Sequence, residues 1–472
     1  MPTFSIENFG CRATDADAAA LRRSLLASGL TVLGEHAADF VVLNTCTVTA
    51  NADAQSRDAV RKIHRANPKA RIIVTGCYAQ RAPDEIASLE GVTWVVGNSH
   101  QTEIPELLED FQSEQFSNSQ IDASLTGNNF VPLSRLSDDA MSLARGPAKI
   151  LSGDIFAQTS VQLAPHGGGL EGDRTRPILK VQDGCNNRCS YCVIPFVRGR
   201  SRSLAPDVVV EEVRKLVASG VKEIVLSGIN LGSYGRDFIP RAALSEVVRR
   251  ILDETALEQL RFSSVEPQDV TEDFVALVAS SERIARHFHV PLQSGSDKVL
   301  RGMHRWYRAA HYAERIRRIR NMVPDAAIGA DVIVGFPGET DEDFRMTHDF
   351  IEALPVTYLH VFSFSSRPGT KAADSNASVD PEVIRERAHA LRALSQRKAT
   401  EFRASQQGRK VRAITLARGG ADWTEALTSN YLKVKVPGHR AANLWCEAEI
   451  SLDERAIGNL ELAADVPASS RR

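Results

Sequence analysis

The sequence predicts an α/β protein built from three parts: an N-terminal domain of βα units around a parallel sheet, a central partial (β/α)6 barrel, and a small C-terminal β-barrel. Strand-like apolar runs alternate with helical patterns in the first two parts, which predicts parallel strands joined by helices. Short strand patterns with turn signals follow the last long helical pattern, as in a small barrel. With 472 residues, 43% of them hydrophobic, the chain is long enough for about three domains with cores of their own.

The predicted boundaries follow the changes in pattern. The N-terminal domain covers residues 1–110, the central domain residues 176–402 and the C-terminal domain residues 403–466. Residues 111–175 are polar and irregular, with short runs of Ser, Asn and Gly, and helical or strand-like periodicity fades there. This composition predicts a polar linker between the first two domains.

Three cysteines of the N-terminal domain occupy equivalent places in its βα units. The apolar run 40–43 leads into Cys46 and the run 71–74 leads into Cys77, and helix-forming sequence follows both Cys46 and Cys11. If the strands are neighbours, they end at the same edge of a parallel sheet, so we expect these three thiols to lie together and to bind a metal cluster. Buried free cysteines are the alternative interpretation of each one taken alone.

The central domain alternates six strand-like stretches with helical ones. The predicted strands are 178–182, 222–227, 259–264, 286–291, 327–334 and 356–363. The predicted helices between them are 207–219, 241–254, 271–280, 307–322 and 341–353. A long helix, 381–406, leads to C-terminal strands around 411–416, 432–436 and 444–450. Repeated βα units of this kind predict the partial barrel.

The most specific motif is C-x3-C-x2-C, formed by Cys185, Cys189 and Cys192 directly after the first strand of the central domain. Three thiolates without a fourth ligand nearby leave one iron of a cubane cluster open to another molecule, which is a catalytic arrangement. Structural zinc is the alternative. Zinc sites normally use four Cys or His ligands, however, and the nearest histidines are the distant His166 and His287.

The composition points to the cytoplasm. The sequence starts without the basic and apolar regions of a secretory signal and has no apolar run long enough to cross a bilayer, so we expect no membrane association. Cytoplasmic thiols stay reduced, which argues against disulfides. The formal net charge of −2 does not indicate nucleic-acid binding, but two segments of the chain are basic. Residues 381–412 carry nine Lys or Arg against three Glu, and residues 301–320 carry seven Arg against one Glu.

The C-x3-C-x2-C loop resembles that of the radical S-adenosylmethionine (SAM) enzymes, which carry C-x3-C-x-aromatic-C, with Tyr191 in the aromatic place. With its two cysteine triads, nearly the whole chain resembles the radical SAM methylthiotransferases, which join an N-terminal three-cysteine domain, a radical SAM domain and a C-terminal TRAM domain. One departure is Thr14, where members usually carry Asn. The matching stretches are residues 44–48, 75–80, 182–202, 290–296 and 331–339, and residues 428–431 resemble TRAM domains.

Finer resemblance points to one substrate. Asp183 and the run 198–203 look most like the branch that acts on N6-threonylcarbamoyladenosine in tRNA. The branch acting on isopentenyladenosine usually has Glu in place of Asp183 and lacks this Arg-Ser run, and the branch acting on an aspartate of a ribosomal protein also departs here. Both remain alternatives. An iron–sulfur electron carrier or an RNA-binding scaffold without turnover is an alternative of another class.

The resemblance implies two [4Fe–4S] clusters, one on Cys11, Cys46 and Cys77 and one on Cys185, Cys189 and Cys192. SAM would bind the open iron of the second cluster and yield a 5′-deoxyadenosyl radical, because no acid or base can remove the unactivated hydrogen of adenine C2. The first cluster would hold the sulfur to be transferred, and a second SAM would supply the methyl group. No side chain beyond the cluster ligands is therefore predicted to be catalytic.

Further site residues are predicted from their positions in the central domain. The SAM contacts are Tyr191, Gly228, Asn230, Gln293 and Ser294, for which ordinary βα turns are the alternative interpretation. Three arginines that follow the C-x3-C-x2-C loop are predicted to contact RNA phosphates: Arg198, Arg200 and Arg202. The expected partners are tRNA and an electron donor such as flavodoxin or ferredoxin, and the protein is expected to be a monomer.

Overall fold

The computed structural model describes residues 1–109, 148–161, 175–452 and 462–465. The chain forms two compact units. The first comprises Met1–Gly167 together with the short segment Val193–Arg200, and the second comprises Gly168–Cys192 and Ser201–Arg472. Most of the predicted linker, residues 111–147 and 162–174, lies outside the described residues. No helix in the part of the chain described here is long and apolar enough to cross a membrane.

The first unit contains a six-stranded sheet in which all pairs are parallel, with the order β2-β1-β3-β4-β5-β6. This confirms the predicted parallel βα domain. Its strands are β1 Thr3–Asn8, β2 Thr31–Val32, β3 Phe40–Thr45, β4 Arg71–Gly76, β5 Val92–Gly97 and β6 Lys149–Leu151. Its helices are α1 Arg12–Ala27, α2 Ala50–Ala66, α3 Cys77–Arg81, α4 Pro83–Ala87 and α5 Ile194–Arg198. The edge strand β6 stands within the segment predicted as a linker, where the sequence analysis expected no regular structure.

The sheet of the first unit is buried on both faces, which explains the continuous apolar runs of its strands. Along β3, Val41 and Leu43 pack with Val60 and Ile63 of α2 on one face. The alternate residues of β3 join a second core, which includes Leu21 and Leu25 of α1. Helix α2 begins where the side chain of Thr49 accepts the backbone N–H of Ala52.

The second unit holds six parallel strands in barrel order. The strands are β7 Ile178–Asp183, β9 Glu223–Gly228, β10 Gln259–Phe262, β11 His287–His289, β12 Ala327–Val334 and β13 Tyr358–Ser363, with the short antiparallel β8 Arg202–Ser203 beside β7. The helices are α6 Pro206–Ala218, α7 Leu244–Glu254, α8 Glu272–Ser280, α9 Asp297–Gly302, α10 Ala309–Met322 and α11 Asp341–Ala353. A bridge between Leu260 and Ile284 joins the sheet of β7–β10 to that of β11–β13. The predicted partial (β/α)6 barrel is confirmed; α9 was not predicted.

The chain then continues through α12 Pro381–Ala404 into a closed barrel with the strand order β14-β15-β16-β18-β17. The strands are β14 Lys410–Gly419, β15 Trp423–Thr428, β16 Lys433–Pro437, β17 Trp445–Leu452 and β18 Leu462–Asp465. The small C-terminal barrel is therefore confirmed, although β15 and β18 were missed. The loop after β15 packs on the larger barrel, where the ring of Tyr431 stacks on His287 with 4.2 Å between ring centroids.

Candidate metal centres

The first cysteine triad lies at one edge of the parallel sheet. Cys46 directly follows β3, Cys77 directly follows β4, and Cys11 comes three residues after the end of β1. The strands β1, β3 and β4 are neighbours, and their pairing aligns Asn8 with Asn44 and Asn44 with Thr75. The carboxyl ends of the three strands therefore bring these cysteines to the same edge, as the sequence pattern predicts.

Burial opposes ionisation of the Cys46 and Cys77 thiols. Burial, together with the like charges that the neighbouring Cys77 and Cys11 would add, raises the pKa of Cys46 to about 12. Burial also raises the pKa of the Cys77 thiol, whereas Cys11 is exposed. A coordinated metal deprotonates such thiols outright, and thiolates are the ligands of iron–sulfur clusters. The donor set of three converging thiols thus fits a cluster with one open iron.

Glycines fix the direction in which the cysteines leave their strands. Gly76 has a φ of +97°, and a Cβ there would lie 2.4 Å from the carbonyl oxygen of Thr45. Gly10 has a φ of +144°, and its Cβ would lie 2.8 Å from that of Cys46. Gly184, before Cys185, also has a positive φ, of 69°. The dipeptide Gly-Cys is therefore a sequence signal for these turns that the sequence analysis did not use.

Two side chains of the first unit donate hydrogen bonds to Cys77. The Nε of Arg198 lies 3.3 Å from the Cys77 Sγ, and the Nδ2 of Asn98 lies 3.5 Å from it. A terminal nitrogen of Arg198 also pairs with Asp17 at 2.7 Å. Arg198 is only 2% exposed and its guanidinium is enclosed by these groups, which argues against its predicted role as an RNA contact.

The second triad lies on the loop after β7. Gln182 holds the start of this loop, because its Nε2 donates to the carbonyl oxygens of Asp183 and Gly184. Its Oε1 accepts the backbone N–H of Asn230 at 2.7 Å. Burial raises the pKa of Cys185 to about 11, so this thiol also needs a metal to ionise near neutral pH.

A buried arginine side chain also donates a hydrogen bond to a cysteine of the second triad. One terminal nitrogen of Arg305 lies 3.3 Å from the Cys189 Sγ, and the other pairs with the carboxylate of Glu266. Tyr191 is partly buried beside this group, and the loss of contact with water raises its pKa well above the usual value. It packs against a cluster that includes Met303. Tyr191 therefore helps to form the apolar support of the loop.

The predicted SAM contacts have different surroundings. Gly228 leaves room for Gln182, because a Cβ at Gly228 would lie 2.8 Å from the Gln182 Oε1. Asn230 is buried, with Nδ2 3.9 Å from the Cys185 Sγ, and its Oδ1 has no hydrogen-bond partner within the described ranges. Gln293 is a non-glycine residue with a φ of 71°, a strained conformation often found at binding sites. Ser294 is fully buried and its hydroxyl pairs with Thr347 at 3.1 Å.

Two other predicted RNA contacts are more accessible than Arg198. Arg200 is exposed at the end of the segment that belongs to the first unit. In the second unit Arg202 lies 3.6 Å from Asp183, which also binds Lys180 at 2.8 Å. Both predictions therefore remain open.

The sequence analysis assigned no role to several polar residues near the triads, namely Asp17, Asn98, Glu266 and Arg305. Asp17 is close to Cys11 along the chain. Arg305, in contrast, is 116 residues from Cys189, which hides it from any spacing rule. The sequence analysis also missed a group of three residues on adjacent strands: His289 on β11, Asp331 on β12 and His360 on β13. The Nε2 of His289 and the Nδ1 of His360 lie 2.9 Å and 3.3 Å from the same Asp331 oxygen. Such a group can hold a metal ion.

A parallel βα domain with a three-cysteine edge, followed by a (β/α)6 barrel with a C-x3-C-x-aromatic-C loop, defines a radical SAM enzyme. Two family models match the chain. Residues 179–351 match the Radical SAM superfamily, which agrees with this class, and residues 3–97 match Uncharacterized protein family UPF0004. Among solved structures, the radical SAM methyltransferase TsrM from Kitasatospora setae shares the fold with a TM-score of 0.56 at 18% identity, over 79% of this chain and 77% of that one.

Curated relatives narrow the class to one family. The chain is 35% identical to the threonylcarbamoyladenosine tRNA methylthiotransferase MtaB of Aquifex aeolicus (strain VF5), over 92% of this chain and 97% of the relative. It is 33% identical to the tRNA-2-methylthio-N(6)-dimethylallyladenosine synthase of Acidothermus cellulolyticus (strain ATCC 43068 / DSM 8971 / 11B), over 87% of this chain and 77% of that one. The chain belongs to the radical SAM methylthiotransferase family and is an enzyme.

Proposed function

We propose that the protein converts N6-threonylcarbamoyladenosine next to the anticodon of tRNA to its 2-methylthio derivative. The observation that carries this proposal is the presence of two separate cysteine triads, one on each compact unit. The triad of the barrel accounts for the cleavage of SAM, which leaves the first triad for the cluster that holds the sulfur. The relative from Aquifex aeolicus, which is named for threonylcarbamoyladenosine, matches 92% of the chain at 35% identity, and this match favours the same substrate.

In this proposal the six cysteines bind two [4Fe–4S] clusters. Cys11, Cys46 and Cys77 bind the cluster of the first unit, and the C-x3-C-x2-C cysteines bind the cluster of the barrel, whose open iron takes SAM. When bound, the clusters would relay the electron from the external donor and hold the sulfur, and SAM would supply the methyl group, for which amino-acid side chains have no equivalent. The chain itself positions them: the strand ends bring the thiols together, and buried arginines donate to Cys77 and Cys189.

SAM binding is assigned to the residues around the barrel loop. Asn230 is the best-supported contact, because its buried Oδ1 is an acceptor that a ligand N–H can use. Gln293 follows from its strained backbone. Gly228 and Ser294 act through their neighbours Gln182 and Thr347, and shape the site rather than contact SAM.

For the RNA, we assign phosphate contacts to Arg200, Arg202 and the exposed basic residues of the segment 381–412. Two basic residues of that segment serve the fold instead. Arg387 is buried and pairs with Glu339 at 2.7 Å, and Lys398 donates to backbone carbonyl oxygens. The basic character of the segment is therefore smaller at its surface than its sequence suggests.

The remaining parts of the proposal concern the setting of the enzyme. We assign electron delivery to a flavodoxin or a ferredoxin, and we expect a monomer in the cytoplasm. The functional boundaries are those of the sequence analysis: residues 1–110 for the sulfur-carrying domain, 176–402 for the radical domain and 403–466 for the C-terminal barrel. The last of these includes residues 453–461 and 466, which lie outside the described ranges.

Mass spectrometry of tRNA nucleosides tests the substrate. The reconstituted protein is incubated without oxygen with SAM, dithionite and tRNA carrying either threonylcarbamoyladenosine or isopentenyladenosine. We expect a methylthio mass gain on the threonylcarbamoyl nucleoside alone. A gain only on isopentenyladenosine would assign the chain to the other tRNA branch, and a gain only on an added ribosomal protein would assign it to the protein-modifying branch.

A further inference from the structure

We propose that Arg198, held by Asp17, is a positioning residue that raises the reduction potential of the cluster on Cys11, Cys46 and Cys77. The inference rests on the proposed function, because it takes that cluster as bound. It replaces the RNA-binding role that the sequence suggests for Arg198 with a role inside the first unit.

The contacts of Arg198 are directed toward one ligand sulfur. Its Nε points to the Cys77 Sγ at 3.3 Å, while a terminal nitrogen binds Asp17 at 2.7 Å. The Nδ2 of Asn98 is a second donor to the same sulfur, at 3.5 Å. It also donates to the backbone carbonyl oxygen of Val197 at 2.8 Å. The short helix α5 is therefore anchored so that its last residue, Arg198, faces Cys77.

Burial strengthens the electrostatic effect of the charges of Arg198 and Asp17. The side chains of Arg198 and Asp17 are 3% and 2% exposed, so water and salt screen them little. Reduction adds negative charge to a cluster, and hydrogen bonds to its cysteine sulfurs stabilise the reduced form. A guanidinium on Cys77 therefore raises the potential, whereas the carboxylate of Asp17 partly offsets this effect.

The second unit contains the same arrangement independently. Arg305 donates to Cys189 at 3.3 Å and is held by the carboxylate of Glu266. A buried arginine fixed by an acidic residue thus contacts one cysteine of each triad. The repetition argues that the donor acts on the cysteine sulfur and is not an accident of packing in the first unit.

A redox titration on full-length protein tests the proposal. Replacing Cys185, Cys189 and Cys192 by Ala leaves the first triad as the site of the observed cluster, which is followed by electron paramagnetic resonance after anaerobic reconstitution. In this background we expect Arg198→Gln to lower the midpoint potential, because the positive charge is lost and Asp17 stays. Asp17→Asn should raise it, because the guanidinium is no longer offset. Arg65→Gln, which changes an exposed arginine in the last turn of α2, is the control and should leave the potential unchanged.

The opposite signs separate electrostatic tuning from a structural role. Damage to the fold would loosen the cluster in both variants and move both potentials in one direction. Arg198→Lys, which keeps the charge and a donor, should stay closer to the parent than Arg198→Gln does, and it serves if the glutamine variant does not hold iron. Unchanged potentials, or shifts of the same sign, would overturn this inference alone. If the parent background bound no iron, the first cluster itself would be refuted and the inference with it.

Discussion

Replacing Arg261 by Met should strongly destabilise the second unit. Arg261 and Glu223 are both fully buried and pair at 2.7 Å. Two further nitrogens of Arg261 donate to the carbonyl oxygens of Ser429 and Thr428 at 3.0 Å and 3.1 Å. The side chain thus joins the larger barrel to the loop after β15, and Arg261→Met removes all of these hydrogen bonds at once.

The expected loss can be worked from these contacts. Breaking a buried ion pair costs about 3–5 kcal/mol, because one charge is left without its partner. Arg176, 22% exposed, still lies 3.4 Å from Glu223, so we take the lower value of about 3 kcal/mol. Each of the two carbonyl oxygens left without a donor adds about 1 kcal/mol, for a total of about 5 kcal/mol. Urea unfolding followed by far-ultraviolet circular dichroism should show a midpoint lowered by more than about 1 M.

A double variant tests the cause of the loss. Arg261→Met combined with Glu223→Met removes both charges, and buried pairs replaced by apolar residues often cost little. We expect the double variant to lose only about 3 kcal/mol, of which about 2 kcal/mol corresponds to the two carbonyl oxygens and about 1 kcal/mol to Arg176, which loses its contact with Glu223. The reasoning is refuted if Arg261→Met alone costs less than about 1 kcal/mol, or if the double variant is less stable than the single one.

Three further predictions concern stability and iron content. Burial raises the pKa of Asp269 from 3.8 to about 6, so the cost of its ionisation in the folded protein grows as the pH rises between these two values and is complete above the higher one. Asp269→Asn should therefore add about 2 kcal/mol near pH 8 and almost nothing near pH 4. Gly76→Ala should reduce bound iron from about eight to about four per chain, because the new Cβ meets the backbone of β3 beside Cys77. Cys446→Ala should leave the iron content unchanged, since its thiol is buried in the core of the C-terminal barrel.

The controls and contrary results are equally definite. A gain in Asp269→Asn that is the same at both pH values would show that ionisation is not its cause. Gly29→Ala has a similar φ, of +82°, but its Cβ would meet nothing within 4 Å, so it should keep its iron. Equal iron in Gly76→Ala and Gly29→Ala would remove the argument for the turn at Cys77. Loss of iron in Cys446→Ala would add a seventh ligand to the account.

Much of the fold was predictable because its helices and strands have strong periodic patterns. Strands β3 and β4 are buried on both faces and read as continuous apolar runs, and β12 was predicted with its observed bounds, Ala327–Val334. The missed strands lack such patterns. Strand β15 buries small or polar residues such as Thr424, Ala426 and Thr428, and β6 has only three residues.

The candidate site was predictable in its cysteines and not in its surroundings. A cysteine after each strand places the thiols at one sheet edge by topology alone. The partners of the cysteines come from remote positions: Arg198 is 121 residues from Cys77, and Arg305 is 116 residues from Cys189. Sequence proximity to a motif, which suggested RNA binding for Arg198, does not tell which way a side chain points, and the fold turns this one toward Cys77.

The most direct test of the two-cluster account is to measure 5′-deoxyadenosine and the methylthio nucleoside together in Cys46→Ala and Cys189→Ala, with threonylcarbamoyladenosine-containing tRNA as substrate. We predict that Cys189→Ala forms neither product, because the barrel triad is needed for SAM cleavage. We predict that Cys46→Ala still forms 5′-deoxyadenosine but no methylthio nucleoside, because the first triad is needed for sulfur transfer. Normal methylthio nucleoside from Cys46→Ala would contradict the account.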